Sequence, residues 1–304
     1  MEKEKMTFGE FIRTLRLERR WTKEDLCGDE ACLSVRQLTR LESGHSKPTL
    51  AKIEFIASRL AIPTYQLMKY YVALPQDYLD LKYLALRLSA FGQEEKLDEM
   101  AACVEEMAER FYDQLPEDER VIIWILRCRI RMCRGIKPAT RTQIFDDYLE
   151  QVQRRKVYGI NDLLLIHVYF LACQLIEDLL EEPFYRQMVD CLLEQDQHLK
   201  IEEWFILRDV LIACLTAGLQ YGLAYKHREM LALLEQMMEL TQDYQKKAVV
   251  YLLEWKCAMM FRQDVALARK SYQQALAFSH VLRDTYLRQQ LMSEWESDWQ
   301  EYGK

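Results

Sequence analysis

The sequence predicts an almost entirely α-helical protein with a small N-terminal domain and a larger body of helical repeats. Half of the 304 residues are apolar, while only 9 are Gly and 6 are Pro. Helix formers therefore dominate and turn residues are scarce, and apolar residues recur at helical spacing. Because the chain is too long for one small core, we place an N-terminal domain at 1–72, a linker at 73–79 and a repeat domain at 80–304.

The charge is distributed unevenly between these parts. Residues 1–72 carry 13 Lys and Arg against 10 Asp and Glu, a net charge of +3, whereas the remainder carries −10. A positive domain on an acidic body is typical of a protein that meets a polyanion through that domain alone.

Several classes of protein are disfavoured by the same composition. The sequence has no uncharged apolar run of about 18 residues, as a membrane span requires, and no secretion signal. Nine cysteines, an odd number, indicate reduced thiols in a cytoplasmic protein. Their spacing matches no zinc site, so we expect no metal and no cofactor.

Capping and stop residues predict five short helices in the N-terminal domain. Their starts follow Thr7, Thr22, Ser34, Thr49 and Pro63, and Gly44 ends the third helix. The junction of the second and third helices resembles the helix-turn-helix of the phage-repressor (XRE/Cro-type) class. The motif residues are Ile12-Arg13-Thr14-Leu15-Arg16, Ser34 and Glu42-Ser43-Gly44. The connection "GDEAC" is longer than the minimal turn of that class.

The third helix is expected to lie in the major groove of DNA, with its first turn on base edges. Arg36 and Gln37 occupy that turn and suit guanine and adenine respectively. Arg40 follows one turn later and could read a base or hold a phosphate. Four polar residues at the helix ends suit phosphate contacts: Thr22, Lys23, Ser46 and Lys47. For Arg40 and the two lysines, an ordinary solvated charge is an equal alternative, and Arg16, Arg19 and Arg20 are expected on the solvated face of the first helix.

The body reads as paired helices with starts spaced by 40 and 44 residues, which indicates an α-solenoid like that of tetratricopeptide repeats. The expected helices are 95–114, 118–134, 141–157, 161–180, 184–196, 201–220, 225–242, 245–261, 264–281 and 284–300. Small residues in the penultimate helix, among them Ala266, Ala275 and Ala277, favour close helix packing.

Such a stack presents a surface for an extended peptide. Five body residues are candidates for binding it: Arg127, Arg131, Asn161, Tyr169 and Arg208. A cation on an apolar helix face is costly to bury alone, so each arginine either lines a cavity or forms an internal salt bridge, which we rank slightly ahead. For the other two residues a structural role is favoured over ligand binding: we expect Asn161 to be the N-cap of its helix and Tyr169 to be a core residue.

The last helix keeps large side chains to its end: Tyr286, Leu291, Trp295 and Trp299. A terminal repeat helix should have a polar outer face. A second subunit could cover these residues and form a homodimer on a palindromic promoter. The alternative is that both tryptophans fold back on the preceding helix pair.

The whole chain resembles the Rgg family of pheromone receptors of Gram-positive bacteria, and most of all its ComR subgroup. The residues that carry the resemblance are Val35-Arg36-Gln37-Leu38 with Arg40 and Glu42, Phe111-Tyr112-Asp113, Leu115-Pro116-Glu117, and the segments 161–170 and 277–284.

The resemblance implies a cytoplasmic transcription regulator of competence or bacteriocin genes. A short imported apolar peptide would bind the repeat body, release the N-terminal domain and promote a homodimer on double-stranded promoter DNA. Before peptide binding, Arg36 would be paired with Glu117, which would prevent the arginine from reading guanine. From the residues alone, Glu117 could simply stabilise a helix N-terminus.

Two other functions are weighed against this one. A dimeric repressor that needs no peptide would use the repeats only for assembly. An enzyme is disfavoured, because the five histidines are scattered and no nucleophile elbow or phosphate-binding loop occurs.

Overall fold

The computed structural model describes the backbone of residues 6–88, 93–137 and 143–302, and the side chains of these residues except 143–147. They form sixteen α-helices and no strand, which confirms the predicted all-α class. The helices are α1 (Phe8–Glu18), α2 (Lys23–Cys27), α3 (Val35–Glu42), α4 (Leu50–Arg59), α5 (Tyr65–Met68), α6 (Gln76–Arg87), α7 (Glu94–Phe111), α8 (Glu117–Cys133), α9 (Gln143–Arg154), α10 (Ile160–Leu175), α11 (Glu182–Leu192), α12 (Trp204–Gln220), α13 (His227–Thr241), α14 (Lys247–Cys257), α15 (Val265–Val281) and α16 (Thr285–Tyr302).

The chain divides into two compact units. Unit 1 comprises Met1–Arg131 and Pro138–Lys156, and unit 2 comprises Met132–Lys137 and Val157–Lys304. The predicted N-terminal domain, residues 1–72, is therefore one part of a larger compact body that also contains α6, α7, α9 and nearly all of α8.

Side-chain caps define the N-terminal helices of unit 1. Thr7, Thr22 and Ser34 each accept a hydrogen bond from the third residue of the helix they open, and the side chain of that residue returns the contact. Thr49 caps α4 by accepting the backbone N–H of Lys52 with its side chain. The predicted starts of α1 to α4 are thus confirmed. The helices begin there because the capping side chains satisfy backbone N–H groups that would otherwise lack a partner.

These short helices share one apolar core. Leu26, Leu33, Leu38, Ile53 and Ile56 are fully buried within it. The core explains why α2, with only five residues, is stable, because packing and capping replace the intrinsic stability that a helix of this length lacks.

The expected linker at 73–79 is wrong in its second half, since α6 begins at Gln76. Pro75 stands at the N-cap, where its missing N–H costs nothing. Tyr78 is fully buried and packs edge-to-face on Phe111 of α7. α6 was not among the predicted helices, although its buried residues recur at helical spacing.

Unit 2 is built from helix pairs, as predicted. α10 packs against α12, α12 against α14, and α14 against α15, on which α16 lies. Most residues of α10 and α12 are buried, including the consecutive run 163–170 of α10, so these helices are packed on more than one face. α10 begins earlier than expected: Gly159 is its N-cap and Asn161 its second residue, while Asp162 accepts the N–H of Gly159 at 3.0 Å.

Small residues mediate the contact of α15 with α14. Ala268, Ser271 and Ala275 are fully buried, and their spacing of three and four residues places them on one face. Of the three alanines predicted to allow close helix packing, Ala275 is buried in this contact, whereas Ala266 and Ala277 are exposed. No helix in the described parts of the chain is long and apolar enough to cross a membrane.

Gly9 lies where α1 approaches the end of α3. A Cβ at this position would lie 2.7 Å from the carbonyl oxygen of Glu42 and closer still to that of Leu41. Alanine normally stabilises a helix by about 1 kcal/mol relative to glycine. Because backbone atoms cannot move aside cheaply, we expect Gly9→Ala instead to lower the free energy of unfolding by more than about 1 kcal/mol.

Urea unfolding monitored by circular dichroism measures this change. Arg13→Ala is the matched control, since Arg13 is exposed on the same helix and its loss should change the free energy of unfolding by less than about 0.5 kcal/mol. A more stable Gly9→Ala protein would contradict the close approach of α1 to α3.

Candidate nucleic-acid interface

A buried ion pair fixes the position of α3 relative to α1. Arg16 donates from Nε and Nη2 to the two carboxylate oxygens of Glu42, at 2.7 and 2.9 Å, and its Nη1 donates to the carbonyl of Trp21. Both side chains of the pair are buried. Arg16 was expected on the solvated face of α1, and that prediction is wrong. The helix-turn-helix motif therefore contains Arg16 and Glu42 because together they set the angle of α3, with all three guanidinium nitrogens hydrogen-bonded.

The long connection between α2 and α3 is stabilised by its own carboxylates. Asp29 accepts the N–H of Ala31 at 3.0 Å, and Glu30 accepts the first N–H of α3, that of Val35, at 2.9 Å. A carboxylate at this end of a helix is also favoured by the helix dipole. The extra residues thus provide a second cap for α3.

The three predicted base-reading residues lie on α3 in different environments. Arg36 is exposed and Arg40 is half-buried, whereas Gln37 is buried with 6% of its surface exposed. Gln37 is covered by the side chain of Gln151 from α9. The two carboxamides exchange a pair of hydrogen bonds at 3.0 and 3.1 Å.

The end of α9 also holds the α2–α3 connection. Gln151 donates to the carbonyl of Glu30 at 3.1 Å, Arg154 donates to that of Asp29, and Arg155 donates to that of Ala31 at 2.6 Å. All three contacts are made to backbone carbonyls. They hold the end of α9 next to the N-terminus of the recognition helix α3. Because they are made to the backbone, they do not depend on the side chains of the connection.

The start of α8 contacts α3 and α4. Nε of Arg40 lies 3.1 Å from Oε2 of Glu117, an ion pair that lacks the alignment of a hydrogen bond. The neighbouring Asp118 accepts from Nζ of Lys52 at 2.6 Å and from the hydroxyl of Tyr148 at 3.0 Å. The predicted partner of Glu117 was Arg36; the ion pair that the structure shows at Glu117 is with Arg40.

Asp118 remains charged in this environment. Burial raises its pKa, but the charge of Lys52 and the hydrogen bonds from Lys52 and Tyr148 together outweigh burial and hold the pKa of Asp118 below its ordinary value. Lys52 itself is only 5% exposed. The pair therefore lies in a low-dielectric site, where the loss of one partner is costly.

The predicted phosphate contacts have intramolecular partners. Thr22 caps α2, and Nζ of Lys23 donates to Thr39 at 2.8 Å. Nζ of Lys47 donates to the carbonyl of Gln114, next to the start of α8, at 3.1 Å, and Ser46 donates to the carbonyl of Lys47. Their role on phosphate stays a prediction.

The candidate peptide-binding residues occupy both units. In unit 1, Arg127 forms an exposed ion pair with Glu105, and Arg131 is exposed. In unit 2, Arg208 is buried and pairs with Asp209 and with Asp243, the latter at 2.6 Å. The internal salt bridge that the sequence favoured for Arg208 is thus present.

Tyr169 and Asn161 complete the candidate set in unit 2. Tyr169 packs edge-to-face on Phe170 and Phe184 and donates to the carbonyl of Leu179. Asn161 is half-buried in the first turn of α10. A role of any of the five residues in peptide binding stays a prediction.

The aromatic residues of α16 fold back on the preceding helices. The ring of Trp295 stacks on Tyr272 with centroids 4.4 Å apart, and Trp299 stacks on Trp295 and receives the guanidinium of Arg269. Leu291 is fully buried and Tyr286 is exposed. Both tryptophans are half-buried against their own chain, as the alternative predicted, and a role of these residues in a homodimer stays a prediction.

A family model described as the ComR tetratricopeptide matches residues 75–295, and a helix-turn-helix model matches residues 12–67. The chain belongs to the ComR family. ComR from Streptococcus suis is 32% identical, with 96% of this chain and 94% of that chain covered and a TM-score of 0.74. Comparison with curated protein sequences gives no match.

Two further ComR structures differ in their ligands. The apo form of the competence regulator ComR from Streptococcus vestibularis is 27% identical, covers 96% of this chain and 98% of its own, and gives a TM-score of 0.82. ComR from S. thermophilus in complex with DNA and its signalling peptide ComS is 25% identical. The match covers 96% of this chain and 99% of that chain, and the TM-score is 0.65. This ComR chain is thus more similar to the apo form.

Sequence reasoning missed most of the polar contacts that join α3, α4, α8 and α9. The family motif did not predict the contacts made by four residues: Lys52, Asp118, Tyr148 and Gln151. Lys52 and Asp118 are 66 residues apart, and Gln37 and Gln151 are 114 residues apart. Tyr148 is 30 residues from Asp118. Nothing in the local sequence around these residues distinguishes them from solvated polar residues.

Replacement of Asp118 tests the buried pair. Asp118→Asn keeps the shape of the side chain but leaves Lys52 as a buried cation without its counter-charge. We expect the free energy of unfolding at pH 7 to fall by about 3 kcal/mol, as for other broken buried pairs. Urea unfolding measures the change.

The matched control is Asp77→Asn, which breaks the exposed pair with Arg110 and should cost less than about 1 kcal/mol. Equal losses in the two variants would contradict a special role for the Lys52–Asp118 pair.

Proposed function

We propose that this chain is a peptide-responsive transcription regulator whose recognition helix is engaged by its own unit 1 until a signalling peptide binds. One observation carries the proposal: Gln37 and Arg40 of α3 are occupied by Gln151 and Glu117. Bases and these side chains compete for the same polar groups, so DNA binding requires that the internal contacts open.

The relatives support the ligands of this mechanism. The ComR of S. thermophilus was solved with DNA and a signalling peptide, and this chain carries both of the family models found for its two parts. We assign the same two partners here, double-stranded promoter DNA for α3 and a short apolar peptide for the repeat helices α7–α16. The protein acts in the cytoplasm, as a regulator rather than an enzyme, on competence or bacteriocin genes.

Simple energetics make such a closed state effective. The half-exposed Arg40–Glu117 pair contributes less than about 1 kcal/mol, and each amide hydrogen bond of the buried glutamine pair contributes about 1 kcal/mol. A closed state favoured by about 3 kcal/mol lowers the apparent DNA affinity about 100-fold. The peptide activates the protein if it binds the open state more tightly than the closed state.

The two half-sites of a palindromic DNA site require two recognition helices, so the active form is a homodimer. The dimer surface includes exposed residues of α16 such as Tyr286. The tryptophans of α16 contribute by stiffening the helix against α15.

The deciding experiment measures binding of the purified full-length protein to fluorescent duplexes from its neighbouring promoters, with and without short apolar peptides encoded nearby. DNA binding that appears only with a peptide supports the receptor function. Equal binding without peptide would support the alternative, a constitutive repressor whose repeats serve only assembly.

Removal of the carboxylate next to Arg40 tests the closed state. We expect Glu117→Ala to raise the DNA affinity of the peptide-free protein by about fivefold, because it removes a contact of up to about 1 kcal/mol. Arg36→Ala should abolish sequence-specific binding in every background, since its guanidinium is the predicted guanine reader.

Glu105→Ala is the matched control for Glu117→Ala. It removes an exposed carboxylate paired with Arg127 and should leave DNA affinity unchanged. If the two variants bind DNA like the unaltered protein, Glu117 does not restrain the recognition helix.

A further inference from the structure

The contact between Gln37 and Gln151 resembles the pairing of a glutamine with a DNA base. We propose that Gln151 is an internal mimic of adenine, and that Gln37 therefore reads an adenine in each half-site of the promoter. The inference rests on the proposed function and deepens it, because it names the base and the residue that replaces that base in the closed state.

The orientation of the Gln37 carboxamide is set by the backbone. The N–H of Ser34 can only donate, and the atom of Gln37 that it approaches at 3.2 Å must be the oxygen. Gln37 in turn donates its backbone N–H to the hydroxyl of Ser34. The capping box of α3 thus fixes which end of the Gln37 carboxamide accepts and which donates.

A second backbone group fixes Gln151. The carbonyl of Glu30 can only accept, so the atom of Gln151 at 3.1 Å from it must be the NH₂ nitrogen. This nitrogen also donates to the oxygen of Gln37, and the nitrogen of Gln37 donates to the oxygen of Gln151. Both orientations therefore follow from the hydrogen-bond network.

Gln151 thus offers Gln37 one donor and one acceptor side by side. In the major groove, adenine offers the same pair, the N6 amino group as donor and N7 as acceptor. Guanine presents two acceptors, cytosine one donor, and thymine one acceptor beside a methyl group. Of the four bases, only adenine can satisfy both ends of the Gln37 carboxamide as Gln151 does.

The surroundings of the pair hold it in place. Both carboxamides are buried, with 6% of Gln37 and 3% of Gln151 exposed. Arg155 anchors α9 on the α2–α3 connection through the carbonyl of Ala31. A buried polar group left without a partner is costly, so Gln37 leaves Gln151 only when water or another donor–acceptor pair replaces it.

This substitution makes Gln151 and adenine mutually exclusive partners. Opening exposes the Gln37 carboxamide, and an adenine edge recovers both of its hydrogen bonds. A site with another base at this position leaves the carboxamide incompletely paired. Autoinhibition and base preference therefore depend on one side chain, Gln37.

The test combines variants of the full-length protein with modified DNA. Random duplexes are selected with the unaltered protein, Gln151→Leu, Gln37→Ala and the double variant, each with and without the short apolar peptides encoded nearby, and thermal unfolding confirms that all four are folded. In the selected duplex, each adenine is then replaced in turn by 7-deazaadenine, which lacks the N7 acceptor but still pairs with thymine.

We expect one adenine per half-site at which 7-deazaadenine lowers the affinity of both the unaltered protein and Gln151→Leu about tenfold, and does not affect Gln37→Ala. Gln151→Leu should also bind the unmodified duplex about tenfold more tightly than the unaltered protein. In the Gln37→Ala background, Gln151→Leu should have no such effect, because the two residues act as one pair.

Three results would overturn the inference. If the effect of 7-deazaadenine is the same with and without Gln37 at every position, Gln37 does not read adenine. If Gln151→Leu leaves the peptide-free affinity unchanged while Glu117→Ala raises it, the protein is restrained by α8 and not by a base mimic. If none of the proteins enriches any duplex even when the short apolar peptides encoded nearby are added, the proposed function fails and the inference fails with it.

Discussion

Unit 1 depends on three consecutive carboxylates at the start of α8. Glu117 contacts Arg40 of α3, and Asp118 contacts Lys52 of α4 and Tyr148 of α9. Glu119 accepts hydrogen bonds from Tyr78 and Lys82 of α6, each at 2.7 Å. A single helical turn thereby holds four other helices. The positive end of the α8 dipole favours all three charges, and the rigidity of the turn couples their contacts, so they do not act independently.

The burial of these contacts differs, and this difference suits a switch. Lys52, Lys82 and Glu119 are nearly inaccessible to water and Asp118 is about one-fifth exposed, whereas Arg40 is about two-fifths exposed. Buried pairs resist partial opening because a lone charge left inside is costly, while an exposed pair exchanges easily with water or phosphate. The contact nearest the recognition helix is thus the one that DNA can displace most readily.

The polar residues of α3 have structural roles, and the proposed function gives them a role in recognition as well. Gln37 completes the capping box of its own helix and at the same time pairs with Gln151. Glu42 ends the helix and orients it through Arg16. Because the same side chains fix the helix and present it, a change in this segment affects stability and DNA affinity jointly. In the C-terminal helices, Trp255 packs edge-to-face on Trp295 and donates to Asp298, which ties α14 to α16 within unit 2.

Local sequence determined much of this protein. The caps at Thr7, Thr22 and Ser34 and the apolar spacing of the body helices depend on neighbours within four residues, and such patterns are legible from the chain alone. The family resemblance added the regulatory function. The tertiary structure decided what lies opposite each polar residue: that Glu117 meets Arg40, that Gln37 meets Gln151, and that the tryptophans of α16 are covered by α15. These partners are separated by tens of residues, and a polar or aromatic side chain looks the same in sequence whether water, DNA or a distant helix satisfies it.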